Sequence, residues 1–388
     1  MRHMTRDQIA AGRDTVGVVG AGIVGLCTAY ALKERGVPVT VYEHGVPGNG
    51  QSGGESRVFR HAHDDPRMVR RALESRAIYA EWAQALDSEL VSDDGVVAIG
   101  SKVEDRMRVL ESLGDAPARR IDSAELRRRM PLLADYDGPA MLDFGGGAIR
   151  TTAAIRALTT AVGDSLIADE VVSLRATGRD TVEVRTGGHC AEHTRVVVCA
   201  GRNTAGLARQ LGLSIPVRLA AHVRISFAVR SAPPARLACL QDGSGQWGEV
   251  GIYAAPEPGN RRYGVGLSHT VDVREDGSPL DPDGLRKLAE RTRSYVARAL
   301  PGLDPAPQGV RHCWVTELPW SKDGVGVWEA GGALFVSGHN LFKQAPGLGR
   351  ALAAAAAGDD LAADLQPGAR LGDGAASFDT PRTPIQQS

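Results

Sequence analysis

The stretch Thr15 to Glu43, TVGVVGAGIVGLCTAYALKERGVPVTVYE, leaves few folds open to this chain. Val16, Val18 and Val19 form a short β-branched run suited to a strand buried on both faces. Gly20-Ala21-Gly22-Ile23-Val24-Gly25 then matches G-x-G-x-x-G where that strand should end. In this pattern the first glycine permits a tight turn and the second lets backbone approach a pyrophosphate. The third lets the following helix pack closely on the strand. The helix through Leu32 would present free N–H groups and the positive end of its dipole to that anion. Val37 to Val41 gives a second strand, and Glu43 closes it with a carboxylate placed to accept bonds from a ribose hydroxyl. Strand, glycine turn, helix, strand and terminal acid together predict a site for an adenine dinucleotide, with Gly20, Gly22, Ile23, Val24, Gly25 and Glu43 in contact.

Composition narrows the rest. The chain has 388 residues, enough for two or three domains with a sizeable core. A formal net charge of -1 gives no electrostatic case for nucleic acid or for an anionic membrane. No run approaches the roughly 18 apolar residues that a membrane helix needs. The first residues lack the positive, apolar, small-residue order of a signal peptide, so a cytoplasmic protein is expected. Five cysteines without C-x-x-C spacing argue against a disulfide framework or a zinc site, and no metal is expected.

In chain order, residues 1–14 read as a polar tail, and the glycine-rich HGVPGNGQSGGESR leads from Glu43 into Ser56-Arg57-Val58-Phe59-Arg60-His61. Residues 66–90 carry helical periodicity, Gly95 to Ile99 reads as a strand, and helices follow over Glu104–Leu113 and from Ser123 to Pro131. Gly145 to Arg150 reads as a loop before a helix over Thr152–Val162. Two antiparallel strands, Val171–Leu174 and Thr181–Arg185, flank a turn at Gly178-Arg179-Asp180. The β-branched Thr194 to Gly201 returns the chain to the first domain, with a helix over Thr204–Leu211. Val223–Val229, Gly248–Tyr253 and Tyr263–Thr270 form a separate strand-rich region. Leu285–Leu300 is an amphipathic helix, and strands over Val310–Thr316 and Leu334–His339 precede an alanine-rich helix, Gly347–Ala357. Residues 367–388 read as a disordered tail.

With these pieces in place the chain resembles the D-amino-acid oxidase superfamily of FAD-dependent oxidoreductases, and within it the monomeric sarcosine oxidase branch. The likeness rests on GAGIVG with Glu43, on SRVFRHAH at 56–63, and on Cys313 followed by Ser337-Gly338-His339-Asn340-Leu341-Phe342-Lys343. The last run is one residue longer than the branch's G-H-x-F-K loop. The resemblance implies an α/β fold: a Rossmann-type, glutathione-reductase-like FAD domain with a second α+β substrate domain on a mixed, largely antiparallel sheet. The FAD domain would take 15–90, 140–215 and 310–366, and the substrate domain 91–139 and 216–309. It implies FAD-dependent oxidation of a carboxylate-bearing amine, hydride passing to flavin N5, with oxygen or another acceptor taking the electrons. It places Ser56 and Arg57 near the flavin, Arg60 and Lys343 on the substrate carboxylate, and Tyr253 and His269 in the active site. Gly338, Asn340 and Leu341 join the flavin contacts. Cys313 matches the branch's covalent-flavin cysteine, and the adjacent Arg311 and His312 are cations that can favour its thiolate. A monomer is expected.

The chemistry agrees with these residue types. An arginine fork with a lysine charge is a sound anchor for a carboxylate. Negative charge that develops on a reduced flavin is stabilised by a helix N-terminus, and the glycines before the Gly347 helix are placed to supply one. Three departures stand out. Val265 occupies the place of the lysine that helps oxygen react, Ser52-Gly53 that of a histidine pair, and Val315 that of an aromatic residue beside the substrate. Trp247, Trp314 and Trp320 could then line a pocket for a bulkier amine. Two rival readings remain. A flavin monooxygenase would need a nicotinamide site, and no second G-x-G-x-x-G appears mid-chain. A flavoprotein subunit without turnover is opposed by Arg57, Arg60, His269 and Lys343 but favoured by Val265.

Overall fold

A computed structural model describes residues 15–114, 116–178 and 181–374. The strand Val16–Val19 is buried along its whole length because parallel neighbours flank it on both sides. Val39–Glu43 pairs on one side and Arg195–Val198 on the other, each in parallel register. The six-stranded sheet continues outward through Ala333–Gly338 and Val325–Ala330 at one edge and Leu166–Ala168 at the other. A three-stranded meander, Val171–Ala176, Val182–Thr186 and Cys190–His193, follows the edge strand and returns the chain to the centre. Arg179 and Asp180 of the expected turn lie outside the described residues, as do the expected tail over 1–14 and residues 375–388 of the other tail.

Two helices cover one face of this sheet. Ile23–Glu34 buries Ile23, Leu26, Cys27 and Leu32, and Ala345–Ala356 packs along it. Their approach depends on Gly349, where a Cβ would sit 2.7 Å from the backbone carbon of Cys27. The expected glycine loop before the last helix is therefore part of it. The helix starts at Ala345 with Pro346 in its first turn, and Gly347 and Gly349 lie inside as contact points.

The second sheet is mixed and largely antiparallel, as expected. Its long strand Arg218–Val229 pairs with Leu303–Glu317 on one side and Arg262–Leu267 on the other. Ile252–Pro256, Cys239–Gly243, Val96–Gly100, Ala140–Asp143 and Ala118–Arg120 extend it. Gly284–Ala299 covers one face with Leu285, Leu288, Tyr295 and Val296. Two expected boundaries move. Residues 310–317 lie in this sheet because their strand hydrogen-bonds Arg218–Val229, and 140–143 lie there through pairing with Val96–Gly100. Gly147–Arg150, expected as a loop, is a strand antiparallel to Ser56–Phe59. Residues 367–371, expected as tail, pack on the first sheet: the Val325 amide donates to the Leu371 carbonyl at 3.1 Å. No helix among the described residues is long and apolar enough to cross a membrane.

The close helix pair sets a stability test. Gly349→Ala should cost about 1–3 kcal/mol, because the added methyl meets backbone that cannot swing aside. Gly368→Ala, with nothing within 4 Å of its Cβ position, should stay within about 0.5 kcal/mol. Denaturant melts of both variants compare the two, and equal midpoints would remove Gly349 from the helix contact.

Candidate functional site

The glycine turn has the geometry its sequence requires. Gly20 has φ +98°, and a Cβ there would lie 2.6 Å from the Cys199 carbonyl oxygen. At Gly25 a Cβ would lie 1.9 Å from the Gly20 carbonyl oxygen, so only hydrogen lets helix and strand meet. Glu43 ends its strand with both carboxylate oxygens engaged, accepting from the Ala21 amide at 2.8 Å and the Gly45 amide at 2.9 Å. It therefore braces the turn as well as bordering the space in front of it. Ser52 comes from the polar loop, and its hydroxyl accepts from the Ile23 amide at the helix start at 2.9 Å.

The Ser56–Phe59 strand carries the arginines. Arg57 donates to the Gln51 and Gly53 carbonyl oxygens at 2.9 and 2.8 Å, which folds the preceding loop around it. Arg60 emerges beyond the strand and donates to the Ala62 carbonyl and, at 2.9 Å, to Asp323. A second element reaches the same carboxylate. Asn340, in the left-handed region at φ 54°, ends the Ala333–Gly338 crossover and starts the turn Leu341–Gln344. The Tyr79 hydroxyl fixes that turn by donating to the Phe342 carbonyl at 2.7 Å. Lys343 then lies 3.7 Å from Asp323, and the Asn340 amide donates to Asp323 at 2.5 Å. His63 is 4.0 Å away.

Arg60 and Lys343 thus converge as expected, but on an internal carboxylate that sequence reading did not single out. Burial brings Lys343 down to about 8 and Arg60 to about 10, while Asp323 opposes the fall in each. The two cations in turn hold the Asp323 carboxyl far below the usual range, against the effect of its burial. Burial and the same two cations push His63 well below its ordinary value, so it is neutral at pH 7.

The opposite wall is the second sheet. Antiparallel register sets Cys313 directly across from His222. The Tyr253 hydroxyl hydrogen-bonds His222 Nδ1, and His222 faces the Cys313 thiol across the ladder. The cations acting on Cys313 are Arg57 and Arg224, with His222. Arg311 and His312, expected to do this from sequence adjacency, are not among them: His312 points to solvent, and Arg311 lies over Gly53 and the Asn49 carbonyl. Arg224 donates to the Ser56 carbonyl and hydroxyl, and the groups acting on it are Arg57, Tyr253, Cys313 and Cys239, none of them a carboxylate.

The glycine turn, the arginines and the second-sheet wall border one continuous cavity of about 1550 Å³, lined by Gly20, Gly22, Ile23, Val24 and Glu43 and by Gly338, Asn340, Leu341 and Lys343. Arg57, Arg60, Tyr253 and Cys313 also line it. That volume exceeds the roughly 300–1,000 Å³ of a small-molecule site, leaving room for a dinucleotide and a substrate together. A glycine turn at a helix start, a carboxylate beside it and buried arginines lacking carboxylate partners fit an extended, partly anionic dinucleotide.

Several expected residues lie elsewhere. Gly25 and Ser56 sit behind the wall, the first against the turn and the second under Arg224. His269 does not line the cavity: it lies near Glu249 and Arg291, with Nδ1 buried and unpartnered. It lies just past the end of the strand Arg262–Leu267, on which Gly264 and Gly266 face Arg224 and Tyr253, whereas Val265 is in the core. Val315 is buried outside the lining. Of the three tryptophans only Trp314 lines the cavity. Trp247 packs between Tyr136 and Tyr295, and Trp320 packs against Trp328. Sequence reading missed His222, Arg224 and Asp323, and named His339 only within the run that carries the resemblance; strand register and loop geometry bring them to the site.

Comparisons with known proteins follow this geometry. The sequence pattern of the DAO, FAD dependent oxidoreductase, family matches residues 15–355. The tRNA 5-methylaminomethyl-2-thiouridine biosynthesis bifunctional protein MnmC of Thiobacillus denitrificans is 25% identical over 315 residues. That alignment covers 77% of this chain and 48% of the relative, so the chain spans about half the length of that curated protein. Among solved structures, NikD, an unusual amino acid oxidase essential for nikkomycin biosynthesis, has TM-score 0.77 at 20% identity, covering 90% of this chain and 96% of NikD. Glycine oxidase from Geobacillus kaustophilus gives 0.74 at 20% identity, with 92% and 98% covered. L-proline dehydrogenase from P. horikoshii gives 0.77 at 18%, with 92% and 97% covered. At these identities the structures show a shared fold.

Asp323 has a measurable consequence. Its folded pKa lies below its unfolded value near 4, so its stabilisation is full above that value and fades as pH falls below it. Asp323→Asn should therefore lower stability by about 2 kcal/mol at pH 7, less than for a fully buried pair because Asp323 is 25% exposed. Near pH 3 the gap between variant and wild type should shrink. A gap independent of pH would assign the loss to shape rather than charge.

Proposed function

The chain belongs to the FAD dependent oxidoreductase family, and from that premise we propose that it oxidises the C–N bond of an amine bearing a carboxylate. One observation carries this reading: Arg60 and Lys343 bring two positive charges to one end of the cavity, and Asp323 supplies one negative charge between them. With His63 neutral, one positive charge is left for a substrate carboxylate. Bound FAD would supply the two-electron acceptor, taking the equivalent of hydride from the C–H beside the amine nitrogen.

The protein's part is placement. Arg60 offers a fork and Lys343 a point charge, so a carboxylate held by both is fixed in position and in plane. Its amine end then lies toward Tyr253 and Trp314, which also line the cavity. No strong base is needed, because the reacting form is the free amine and the proton it sheds can leave through solvent. Arg57 and Arg224 hold positive charge beside the strand Ser56–Phe59, where an electron-rich ring would be stabilised. Glu43 and the start of the Ile23–Glu34 helix would hold the ribose and pyrophosphate. Oxygen or another acceptor then takes the electrons. Val265 is in the core, and Gly264 and Gly266 beside it carry no side chain that could offer a cation to assist oxygen.

Arg60→Ala should cost about 2–5 kcal/mol in transition-state binding for a carboxylate-bearing amine. The matching amine without a carboxylate should be largely spared. Anaerobic flavin bleaching by such a pair, in wild type and variant, reads this directly. Equal losses would take Arg60 off the carboxylate, and a wild type that prefers the decarboxylated amine would overturn the substrate class.

Cys313, facing the cavity and flanked by cations, supports a second part of the proposal: a thioether anchor for the flavin. Acid precipitation should leave a yellow pellet, and Cys313→Ala should release the colour to the supernatant. A white wild-type pellet with yellow supernatant refutes the anchor and leaves FAD binding standing.

A further inference from the structure

Three of the buried or half-buried cysteines behave as small apolar side chains, and Cys313 differs from them. Burial pushes Cys27, Cys199 and Cys239 up, Cys199 to about 12. Cys313 is as deeply placed, 5% exposed, yet it lines the cavity and has a titratable side chain facing it across the sheet. That side chain is His222, 6% exposed, on the facing residue of the Arg218–Val229 strand. The third member is Tyr253, whose hydroxyl bonds His222 Nδ1. Burial keeps the Tyr253 phenol protonated, so it stays a neutral hydrogen-bonding group throughout the physiological range.

We propose that His222, oriented by the Tyr253 hydroxyl, takes the proton from Cys313 and holds it as a thiolate, making the pair the nucleophilic centre of this cavity. The step moves one proton from sulfur to a ring nitrogen and makes or breaks no other bond. Every charged or titratable group facing the pair agrees with it. Arg57 on the Ser56–Phe59 strand and Arg224 on the same strand as His222 both act on the thiol. Neither has a carboxylate partner among the described residues, so a thiolate is the anion that compensates them. The His339 ring meets His222 edge to face at 6.0 Å, and burial and the His222 charge bring His339 down to about 3, so it stays neutral and does not compete for the proton. Burial pushes the Cys313 thiol up, but His222 and the charges of Arg57 and Arg224 bring it down to about 6.

A histidine that merely packs would leave the thiol's titration untouched, so His222 is assigned as a positioning and proton-accepting residue. The assignment goes beyond the anchoring role and does not require it, since the pair exists without flavin.

The test uses the full chain from riboflavin-starved cells, with iodoacetamide alkylation of Cys313 followed by peptide mass across pH and exposed Cys190 as internal reference. Wild-type Cys313 should titrate below an ordinary thiol, whose value is about 8.5. His222→Gln should move the midpoint toward that value and slow alkylation at pH 7 roughly tenfold, the smaller thiolate fraction outweighing its greater nucleophilicity. His222→Asn serves if the glutamine variant does not fold, and the wild-type profile is decisive by itself. A wild-type midpoint at or above the ordinary value overturns the proposal. So does an unchanged profile in a folded His222 variant, which would assign the thiolate to Arg57 and Arg224. A low midpoint in the flavin-free chain, with a white pellet and yellow supernatant from flavin-loaded wild type, supports the pair while ending the thioether anchor, so the two ideas fail separately.

Discussion

One buried carboxylate, Asp143, holds the two halves of this molecule in the relation the cavity requires. It ends the strand Ala140–Asp143 of the second sheet and is 1% exposed. Its oxygens accept from the His61 amide at 2.6 Å and the Gly146 amide at 2.9 Å, and one bonds His61 Nδ1 at 2.9 Å. His61 directly follows Arg60. The carboxylate thereby fixes the segment that carries both arginines to the second sheet, beside the bonds from Arg224 to Ser56. A buried charge with three good partners is stable in place, and each partner is specified by position. Without this clamp Arg60, just past the end of the Ser56–Phe59 strand, would lose the hold on its neighbour His61.

The first sheet was legible from Thr15 to Glu43 because its signals are local. A strand, a turn that excludes side chains, a helix and an acid fall in one continuous run. The cavity's far end was legible in residue identity, since Arg60 and Lys343 do meet. Their meeting point was not, because Asp323 lies in a short turn that no periodicity marks. Cys313 shows the same limit. Sequence adjacency offered Arg311 and His312 as its cations, but His312, the next residue on the strand, points to the opposite face, and Arg311 reaches over Gly53 to the Asn49 carbonyl. The real partner sits across the ladder, ninety-odd residues away in the chain, and only register identifies it. His269 lies just past the end of the Arg262–Leu267 strand, where its side chain is half-buried near Glu249 and Arg291 rather than in the cavity. The helix Ala345–Ala356 was read correctly in kind, but its glycines were taken for a loop when they are points of close packing.

The electrostatics of the cavity divide into two compartments. Around Asp323 the cations already have a partner, and a ligand carboxylate there shares an existing arrangement. Around Arg57 and Arg224 no carboxylate stands by, and the anion must come from a thiol or from an occupant. Buried arginines tolerate this better than lysines would, because the guanidinium stays charged and its donors reach backbone carbonyls.

The pairing of the first sheet also bears on how the chain is made. Val16–Val19 needs Arg195–Val198 beside it, and that strand in turn needs Ala333–Gly338. During synthesis the earliest strand leaves the ribosome long before either later neighbour exists. Its most apolar edge then waits, unpaired, while most of the polypeptide is still being translated. The second sheet is under no such delay along Arg218–Val229 and Arg262–Leu267, which follow each other closely. This order of events makes the nascent chain most exposed to aggregation at its own beginning, and a chaperone that recognises extended apolar segments would find its binding site there.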